Sequence, residues 1–289
     1  MRILRAARFL ARWPHFRVAD DTLALMRAMV EAGEVDALVP ERVWRELARG
    51  LMEPQPSQML EMLRACGALD RILPEVARLW GVPQPEQHHP EIDTGVHLMM
   101  VLDASARLGS PLPVRYAALC HDLGKGTTPP AQWPRHLAHE ERSVALARAV
   151  SQRLKVPTDC SDLAELVARE HGNIHRSGEF GARALLRLFG RCDALRRPER
   201  FELILLACEC DARGRLGREM QPYPQRERLL WALRLVQAVD LKTIPIHQDP
   251  PLASGQLEPK AEGRMVGELL QRARLGVLER AFGESPGED

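Results

Sequence analysis

Apolar residues recur three and four positions apart along nearly the whole chain, and this spacing constrains the fold more strongly than any other feature. Leu23, Met26 and Val30 show it, as do Met59 and Leu63. Side chains at that spacing lie on one face of an α-helix. Alternating apolar and polar runs joined by hairpin turns, the pattern of a β-sheet, are absent. The sequence therefore predicts an all-α fold.

Length and composition fit a folded chain with a substantial core. The chain has 289 residues, of which 45% are hydrophobic, and its formal net charge is +1. A disordered chain would be less hydrophobic and more highly charged. No apolar run approaches the roughly 20 residues that cross a bilayer, and the basic start, MRILRAARFLARW, lacks the apolar core of a signal peptide. We expect a cytoplasmic chain without a membrane partner.

The six cysteines argue against a small scaffold held by zinc or disulfides. None of them forms a C-x-x-C pair, which is the spacing that most zinc sites use. We expect most of them to be buried, reduced thiols that pack as small hydrophobic side chains.

A row of arginines opens the chain. Arg2, Arg5, Arg8 and Arg12 are three to four residues apart, so they line one side of a helix. Two interpretations remain open. The row is a solvated helix face, or it contacts phosphate groups, whose oxygens match the guanidinium fork.

Clusters of proline and glycine interrupt the helical pattern, for example at 81–90 and 248–255. We predict three regions from them, at residues 1–80, 81–225 and 226–289. The middle region holds nearly all the histidines of chemical interest.

The pair His121-Asp122 follows an apolar helix in the string PVRYAALCHDLGKG. We expect Gly124 to end that helix in the left-handed conformation that glycine adopts readily. Adjacent residues at a helix end can both reach one cation, His121 through an imidazole nitrogen and Asp122 through a carboxylate oxygen.

An aspartate continues an apolar stripe further along the chain. Asp211 follows Ile204 and Cys208 on the same predicted helix face. A buried carboxylate without a partner is costly, so Asp211 needs a metal ion or an arginine beside it. Arg213 and Arg215 are the arginine candidates.

Two histidines also fall on apolar helix faces. His97 shares a face with Val101, and His171 shares one with Val167. A single histidine of this kind is more often a hydrogen-bonded core residue than a metal ligand. Several on separate helices, together with the His-Asp pair and Asp211, favour a metal site.

The ordered set His97, His121, Asp122 and Asp211 resembles the H…HD…D signature of the HD phosphohydrolase superfamily. The resemblance implies that these four residues bind a divalent metal, such as Ni, Mn, Co or Mg, inside a helical bundle. It also implies hydrolysis of phosphoesters by metal-activated water.

Further residues of the middle region match the same superfamily. His139 and His171 match histidines that some members use for a second metal, and His136 is a weaker match than His139. Lys125 lies just past the His-Asp pair, where it either contacts the substrate phosphate or caps the end of the helix.

Longer strings resemble the bacterial CCA-adding enzymes, tRNA nucleotidyltransferases that carry an appended HD domain. The likeness covers about residues 1–235 and implies a helical neck and body at 1–80, an HD bundle at 81–225 and a helical tail at 226–289. The matching strings are RILRAARFLARW, LVPERVWRELARGL, HPEIDTGVHLMM, ALCHDLGKGTTPPAQWPRH and DARGR.

The family's polymerase chemistry resides in an amino-terminal head with a Gly-Ser motif and paired aspartates, and neither is found in this sequence. We therefore expect no nucleotide addition by this chain alone. Arg2 and Arg5 match arginines of the family's nucleotide-templating motif, which contact CTP or ATP together with a head domain.

The resemblance implies tRNA as partner, through its 3′ end and its acceptor and elbow regions. One interpretation is an autonomous hydrolase with 2′,3′-cyclic phosphodiesterase, 2′-nucleotidase and phosphatase activities toward nucleotide phosphoesters. A second is a tRNA-binding module that supports CCA addition only with a head. A third is a degenerate remnant, in which the residues that match the metal ligands of the family persist only as packed core residues.

Overall fold

The computed structural model describes residues 1–240 and 259–283. Within these two stretches every regular element is a helix, and the only β-type contact is an isolated bridge between Pro83 and Asp93. The predicted all-α fold is confirmed. The helices in chain order are α1 (Arg2–Arg12), α2 (Asp20–Glu31), α3 (Pro40–Leu51), α4 (Ser57–Ala65), α5 (Ala68–Ile72), α6 (Pro74–Ala77), α7 (Thr94–Arg107), α8 (Leu112–Cys120), α9 (His139–Leu154), α10 (Thr158–His175), α11 (Ala182–Arg191), α12 (Pro198–Arg213), α13 (Pro224–Gln237) and α14 (Pro259–Phe282).

The chain forms two compact units. The first comprises Met1–Gly172 and Leu203–Tyr223, and the second comprises Asn173–Glu202 and the described part of Pro224–Asp289. The boundaries of these units differ from those predicted for the neck, HD bundle and tail. The predicted division stays a prediction. Of the predicted tail, residues 241–258 and 284–289 lie outside the described residues.

Helix α1 begins the first unit and packs on α3 and α4. Its buried face consists of Ile3, Leu4, Ala7, Leu10 and Ala11. The arginines of the row lie away from this face, as their spacing predicts. Arg2, Arg5 and Arg12 are exposed, and Arg8 is partly exposed.

The start of α7 is fixed by a side-chain cap. One carboxylate oxygen of Asp93 accepts a hydrogen bond from the Val96 amide at 3.0 Å, and the other accepts from the Gly81 amide at 2.6 Å. An N-cap aspartate satisfies a backbone donor that the first helical turn leaves free. Because the cap sets where α7 begins, it also places His97 in the first turns, on the buried face.

The end of α8 differs from the prediction. Gly124 is not in the left-handed region; it lies in a 3-10 helix, Leu123–Thr127, so the predicted left-handed cap is wrong. The glycine is required by packing instead. A Cβ at this position would collide with the His139 carbonyl oxygen and lie 2.7 Å from the Ser143 amide nitrogen. The Gly124 amide donates a hydrogen bond to Ser143 Oγ at 2.8 Å, and this bond holds α9 against the segment that contains His121 and Asp122.

All six cysteines are buried and have free thiols, as predicted. No helix in residues 1–240 or 259–283 is both long and apolar enough to cross a membrane.

In the second unit, α11, α13 and α14 pack on one another. Arg228 on α13 donates to the carbonyl oxygens of Ser177 and Phe180, each at 3.1 Å. Its guanidinium also lies 4.3 Å from the ring centroid of Phe282 on α14. A buried aromatic pair, Phe189 and Phe201, has ring centroids 5.6 Å apart. These contacts give the second unit a core of its own.

Candidate metal centre

Six predicted ligands meet in the first unit, although they come from five helices or helix ends. His97 lies on α7, His121 and Asp122 follow α8, His139 opens α9, His171 lies on α10 and Asp211 on α12. All but His139 are buried, with exposed fractions between 0% and 5%. Burial of this many ionisable groups is costly unless they are paired or bind a metal.

The first cluster joins His97, His121 and Asp211, whose candidate ligand atoms all lie within 4.8 Å of one another. Asp211 Oδ1 is 2.9 Å from His97 Nε2 and 3.9 Å from His121 Nε2. Arg215 also lies near this carboxylate, at 3.7 Å, whereas Arg213 pairs with Glu209 instead. Of the two partners predicted for Asp211, an arginine is present as Arg215, while the metal ion stays a prediction, for which the two neighbouring histidines would serve as ligands.

The second cluster joins Asp122, His139 and His171 within the same 4.8 Å limit. Asp122 Oδ1 lies 3.3 Å from His139 Nε2 and 3.5 Å from His171 Nε2. The other oxygen, Oδ2, lies 3.1 Å from His121 Nε2. The Asp122 carboxylate thus lies between the two clusters, with one oxygen toward each.

Three of the histidines are oriented by backbone carbonyls. A carbonyl oxygen only accepts hydrogen bonds, so the Nδ1 atom facing it carries the proton and Nε2 presents a lone pair. A carbonyl oxygen that accepts from the ring nitrogen opposite the metal is typical of metal-binding histidines. The bonds run from His121 Nδ1 to Ala118 O at 2.8 Å, from His139 Nδ1 to His136 O at 2.9 Å and from His171 Nδ1 to Val167 O at 3.1 Å.

Four buried atoms of the centre have no hydrogen-bond partner among the described residues. One is His97 Nδ1, which faces the Glu91 carboxylate, and the others are His121 Nε2, Asp122 Oδ1 and His139 Nε2. Buried polar atoms are nearly always paired, so such orphans need an explanation. A divalent cation would satisfy the last three of these atoms, and a mixed imidazole and carboxylate set suits Ni, Mn, Co or Mg. The residues present therefore fit a divalent metal.

Lys125 is buried beside the centre. Its ammonium lies 2.7 Å from Asp122 Oδ2 and donates to Gln84 Oε1 at 2.6 Å. The bonds described for this ammonium thus go to side chains rather than to the carbonyl groups at the end of α8. The positive charge is placed beside the shared carboxylate.

Neighbouring charges shift the pKa values of two groups of the centre. Burial alone would raise the pKa of the Asp122 carboxyl, but His121 and Lys125 lower it well below its ordinary value. Burial would lower the pKa of His97, yet the carboxylates of Asp211 and Glu91 beside its ring raise it. Asp122 is therefore an anion, ready to bind a cation.

Two neighbours of the centre whose side chains are buried, Glu91 and His89, were not predicted as site residues. Glu91 Oε1 lies 2.8 Å from His97 Nδ1 and 3.0 Å from His89 Nδ1. Burial lowers the pKa of His89 to about 4, although its hydrogen bond with Glu91 opposes this shift. Both residues lie in the loop before α7, where no helical period reveals burial. Gln84, the partner of Lys125, lies in the same loop.

His136 is a structural residue rather than a member of either cluster. Its Nε2 lies 2.8 Å from the Pro83 carbonyl oxygen, and its Nδ1 lies 3.0 Å from Thr128 Oγ1. Both ring nitrogens are therefore engaged, which agrees with its weaker match to the HD pattern.

Arg2 and Arg5 are not brought to this centre. They lie on α1, where Arg2 is 3.9 Å from Glu34 and Arg5 is 3.6 Å from Glu46. Helix α1 packs on α3 and α4, which supply no residue of the metal centre.

Comparison with known proteins identifies two family models in the chain. Residues 15–79 match the model described as the probable RNA- and SrmB-binding site of polymerase A. Residues 94–229 match the HD domain, which contains all six predicted ligands.

Proteins named multifunctional CCA protein are similar over most of the chain. The protein of Polaromonas naphthalenivorans (strain CJ2) is 59% identical over 286 residues, which is 99% of this chain and 66% of the relative. That of Variovorax paradoxus (strain S110) is 61% identical over 278 residues, 96% of this chain and 64% of the relative. That of Cupriavidus pinatubonensis is 65% identical over 244 residues, 84% of this chain and 59% of the relative. The chain thus spans less than two thirds of the length of these curated relatives.

Proposed function

We propose that this chain, which belongs to the family of the multifunctional CCA proteins and carries an HD domain, is a divalent-metal-dependent phosphohydrolase. One observation carries the proposal. Imidazole and carboxylate atoms from separate helices converge in a buried space, and three of the Nε2 and Oδ atoms that would face a cation have no hydrogen-bond partner among the described residues.

We assign a first ion to His97, His121, Asp122 and Asp211, and a second to His139 and His171 with Asp122 shared. A bound cation would lower the pKa of a water molecule and neutralise charge on the phosphoryl oxygens. In three of these histidines, Nδ1 donates a hydrogen bond to a backbone carbonyl oxygen. This holds the ring in the tautomer whose Nε2 presents a lone pair to a cation.

Lys125 is assigned to the substrate phosphate. Its ammonium lies beside Asp122, so a phosphoryl group at the centre would come within reach of a positive charge. The substrate class that we propose is phosphoesters of nucleotides and of tRNA 3′ ends, cleaved as 2′,3′-cyclic phosphodiester, 2′-nucleotide or phosphate monoester.

The test is hydrolysis of 2′,3′-cyclic AMP by the purified chain after chelation, with Ni, Mn, Co or Mg added back. We expect turnover to return with at least one metal and to be lost in His121→Ala and Asp122→Ala, while circular dichroism shows the helices retained. His88→Ala, at an exposed histidine of the loop before α7, is the matched control. If a folded sample shows no turnover and binds no metal, the centre is a remnant of core residues.

A second function, binding of tRNA, is favoured by the RNA-binding model over residues 15–79 and by the exposed arginines of α1. This proposal includes contacts of Arg2 and Arg5 with the incoming nucleotide. It also includes a role in CCA addition together with a head domain. Gel-shift titration with tRNA at several salt concentrations tests it. Phosphate contacts predict an affinity that falls steeply as salt rises, and no binding at low salt would contradict them.

A further inference from the structure

Glu91 lies at a junction of the metal centre, although it is no member of the HD pattern. Its side chain is only 2% exposed. One carboxylate oxygen, Oε1, faces both His97 Nδ1 and His89 Nδ1. The other, Oε2, accepts a hydrogen bond from the Leu216 amide at 3.3 Å. The carboxylate thus contacts the ring of a ligand on α7 and the backbone that follows α12, the helix carrying Asp211.

His97 is oriented differently from the other histidines of the centre. In His121, His139 and His171, Nδ1 faces a backbone carbonyl three or four residues earlier in the chain. At His97, Nδ1 faces the Glu91 carboxylate at 2.8 Å, and Nε2 faces Asp211 Oδ1 at 2.9 Å. A carboxylate is a stronger acceptor than a carbonyl, and it makes the opposite ring nitrogen a better metal ligand.

The backbone next to Glu91 is strained. Ile92 has a φ of 61°, which is a rare conformation for a β-branched residue. Two hydrogen bonds hold it there, from the Ile92 amide to His89 O at 2.9 Å and from the Gln84 amide to Ile92 O at 2.7 Å. Such strain persists where the surrounding structure requires it, and it is common at functional sites.

We propose that Glu91 is a positioning residue of the metal centre, which orients His97 through Nδ1 and joins α7 to the segment after Asp211. The proposal rests on the proposed function, because it requires a cation at His97 Nε2. Glu91 is not itself a ligand of that cation. The two nitrogens of an imidazole ring point in different directions, and Glu91 lies on the Nδ1 side.

The test compares Mn²⁺ affinity, measured by electron paramagnetic resonance, in wild type, Glu91→Gln and Glu91→Ala. We expect affinity to fall about 10-fold or more in Glu91→Gln and further in Glu91→Ala. Glutamine keeps the shape and an acceptor oxygen, so it should restore part of what alanine removes. The absorption spectrum of the Co²⁺-substituted protein should also change, which a purely structural role would not cause. Glu86→Gln is the control, since Glu86 is exposed in the same loop.

The outcomes separate this inference from the proposed function. If wild type binds Mn²⁺ and both Glu91 variants bind it equally well, the positioning role is wrong while the metal centre stands. If Glu91→Gln loses the metal completely, as a ligand variant would, Glu91 is a ligand and the proposal is also wrong. If wild type binds no metal, the proposed function fails and this role fails with it.

A measurement on the wild type covers the case in which the Glu91 variants do not fold. Nitrogen NMR of the metal-loaded protein should show the His97 ring protonated at Nδ1, the atom that faces Glu91. A proton on Nε2 in the loaded protein would overturn the proposal.

Discussion

Asp122 has the most demanding environment of any residue in the centre. It is buried, it lies between two groups of histidines, and its Oδ2 is 2.7 Å from the Lys125 ammonium. A charged pair in such a place is stable only while both members remain. Asp122 therefore serves two purposes, as a candidate ligand and as the counter-ion of a buried lysine.

At the residue scale, we predict that Asp122→Asn lowers the free energy of unfolding of the metal-free protein by about 3 kcal/mol. The reason is that it leaves the Lys125 charge buried without a carboxylate. Urea unfolding in the presence of chelator measures this. The double variant Asp122→Asn with Lys125→Met should recover much of the loss, since no charge then stays uncompensated. Asp70→Asn, at an exposed aspartate of α5, should change little. Equal stability of wild type and Asp122→Asn would contradict the pairing.

At the scale of elements, the centre depends on how closely α9 approaches the segment after α8. Gly124 permits this approach because it has no Cβ. The amino end of α9 carries His139, so the same packing brings His139 Nε2 to 3.3 Å from Asp122 Oδ1. The second cluster thus follows from a glycine that is no part of it.

We predict that Gly124→Ala destabilises the protein by about 1–3 kcal/mol, since the added methyl group would collide with backbone atoms of α9. It should also weaken metal binding through His139. Thermal unfolding and Mn²⁺ titration measure the two effects. Gly190→Ala in α11 is the control, because its Cβ would meet no heavy atom within 4 Å. That variant should be neutral or slightly stabilising, as alanine is the better helix former.

A second link between elements joins α6 to α9. The two terminal guanidinium nitrogens of Arg153, Nη1 and Nη2, donate to the Glu75 carboxylate at 2.6 and 2.7 Å. Burial would raise the pKa of Glu75, but the hydrogen bonds from Arg153 lower it below its ordinary value of 4.5. A carboxyl group with a lowered pKa stabilises the folded state above its ordinary pKa, and this contribution is lost as the pH falls through the folded-state pKa.

We therefore predict that Glu75→Gln costs about 1 kcal/mol at pH 7, a modest value because Arg153 is partly exposed and solvent screens the pair. The difference between wild type and Glu75→Gln should shrink as the pH falls below the ordinary carboxyl range. Urea unfolding of both proteins at pH 7 and pH 3 measures it. A difference that grows on acidification would contradict this sign.

At the scale of the whole molecule, a cation that binds only the folded chain should raise its stability. The candidate ligands come from helices that span residues 94–213, and an unfolded chain would not hold them together. The gain follows from mass action and is about 2.7 kcal/mol when the free metal is at 100 times its dissociation constant.

We predict that metal added to the metal-free wild type raises its melting temperature, in proportion to the logarithm of the metal concentration. Calorimetry measures it. His121→Ala should show a much smaller rise, and an equal rise in that variant would mean that the metal binds elsewhere.

The helical fold and the burial of the candidate ligands could be predicted from the sequence because both depend on local patterns. Apolar spacing is a property of each helix alone, and it showed that His97, His171 and Asp211 face inward. The structure brings all three to one centre. The same spacing argument predicted that the arginines of α1 line one side of that helix.

Only the tertiary structure decided how these residues meet. The place of Asp122 between two clusters, the role of Gly124 in the approach of α9 and the contact of Glu91 with His97 all depend on distances between segments far apart in sequence. The left-handed cap predicted at Gly124 was wrong for this reason, since packing against α9 rather than a local turn requires the glycine. Glu91, in a loop without helical period, carried no local signal of its burial.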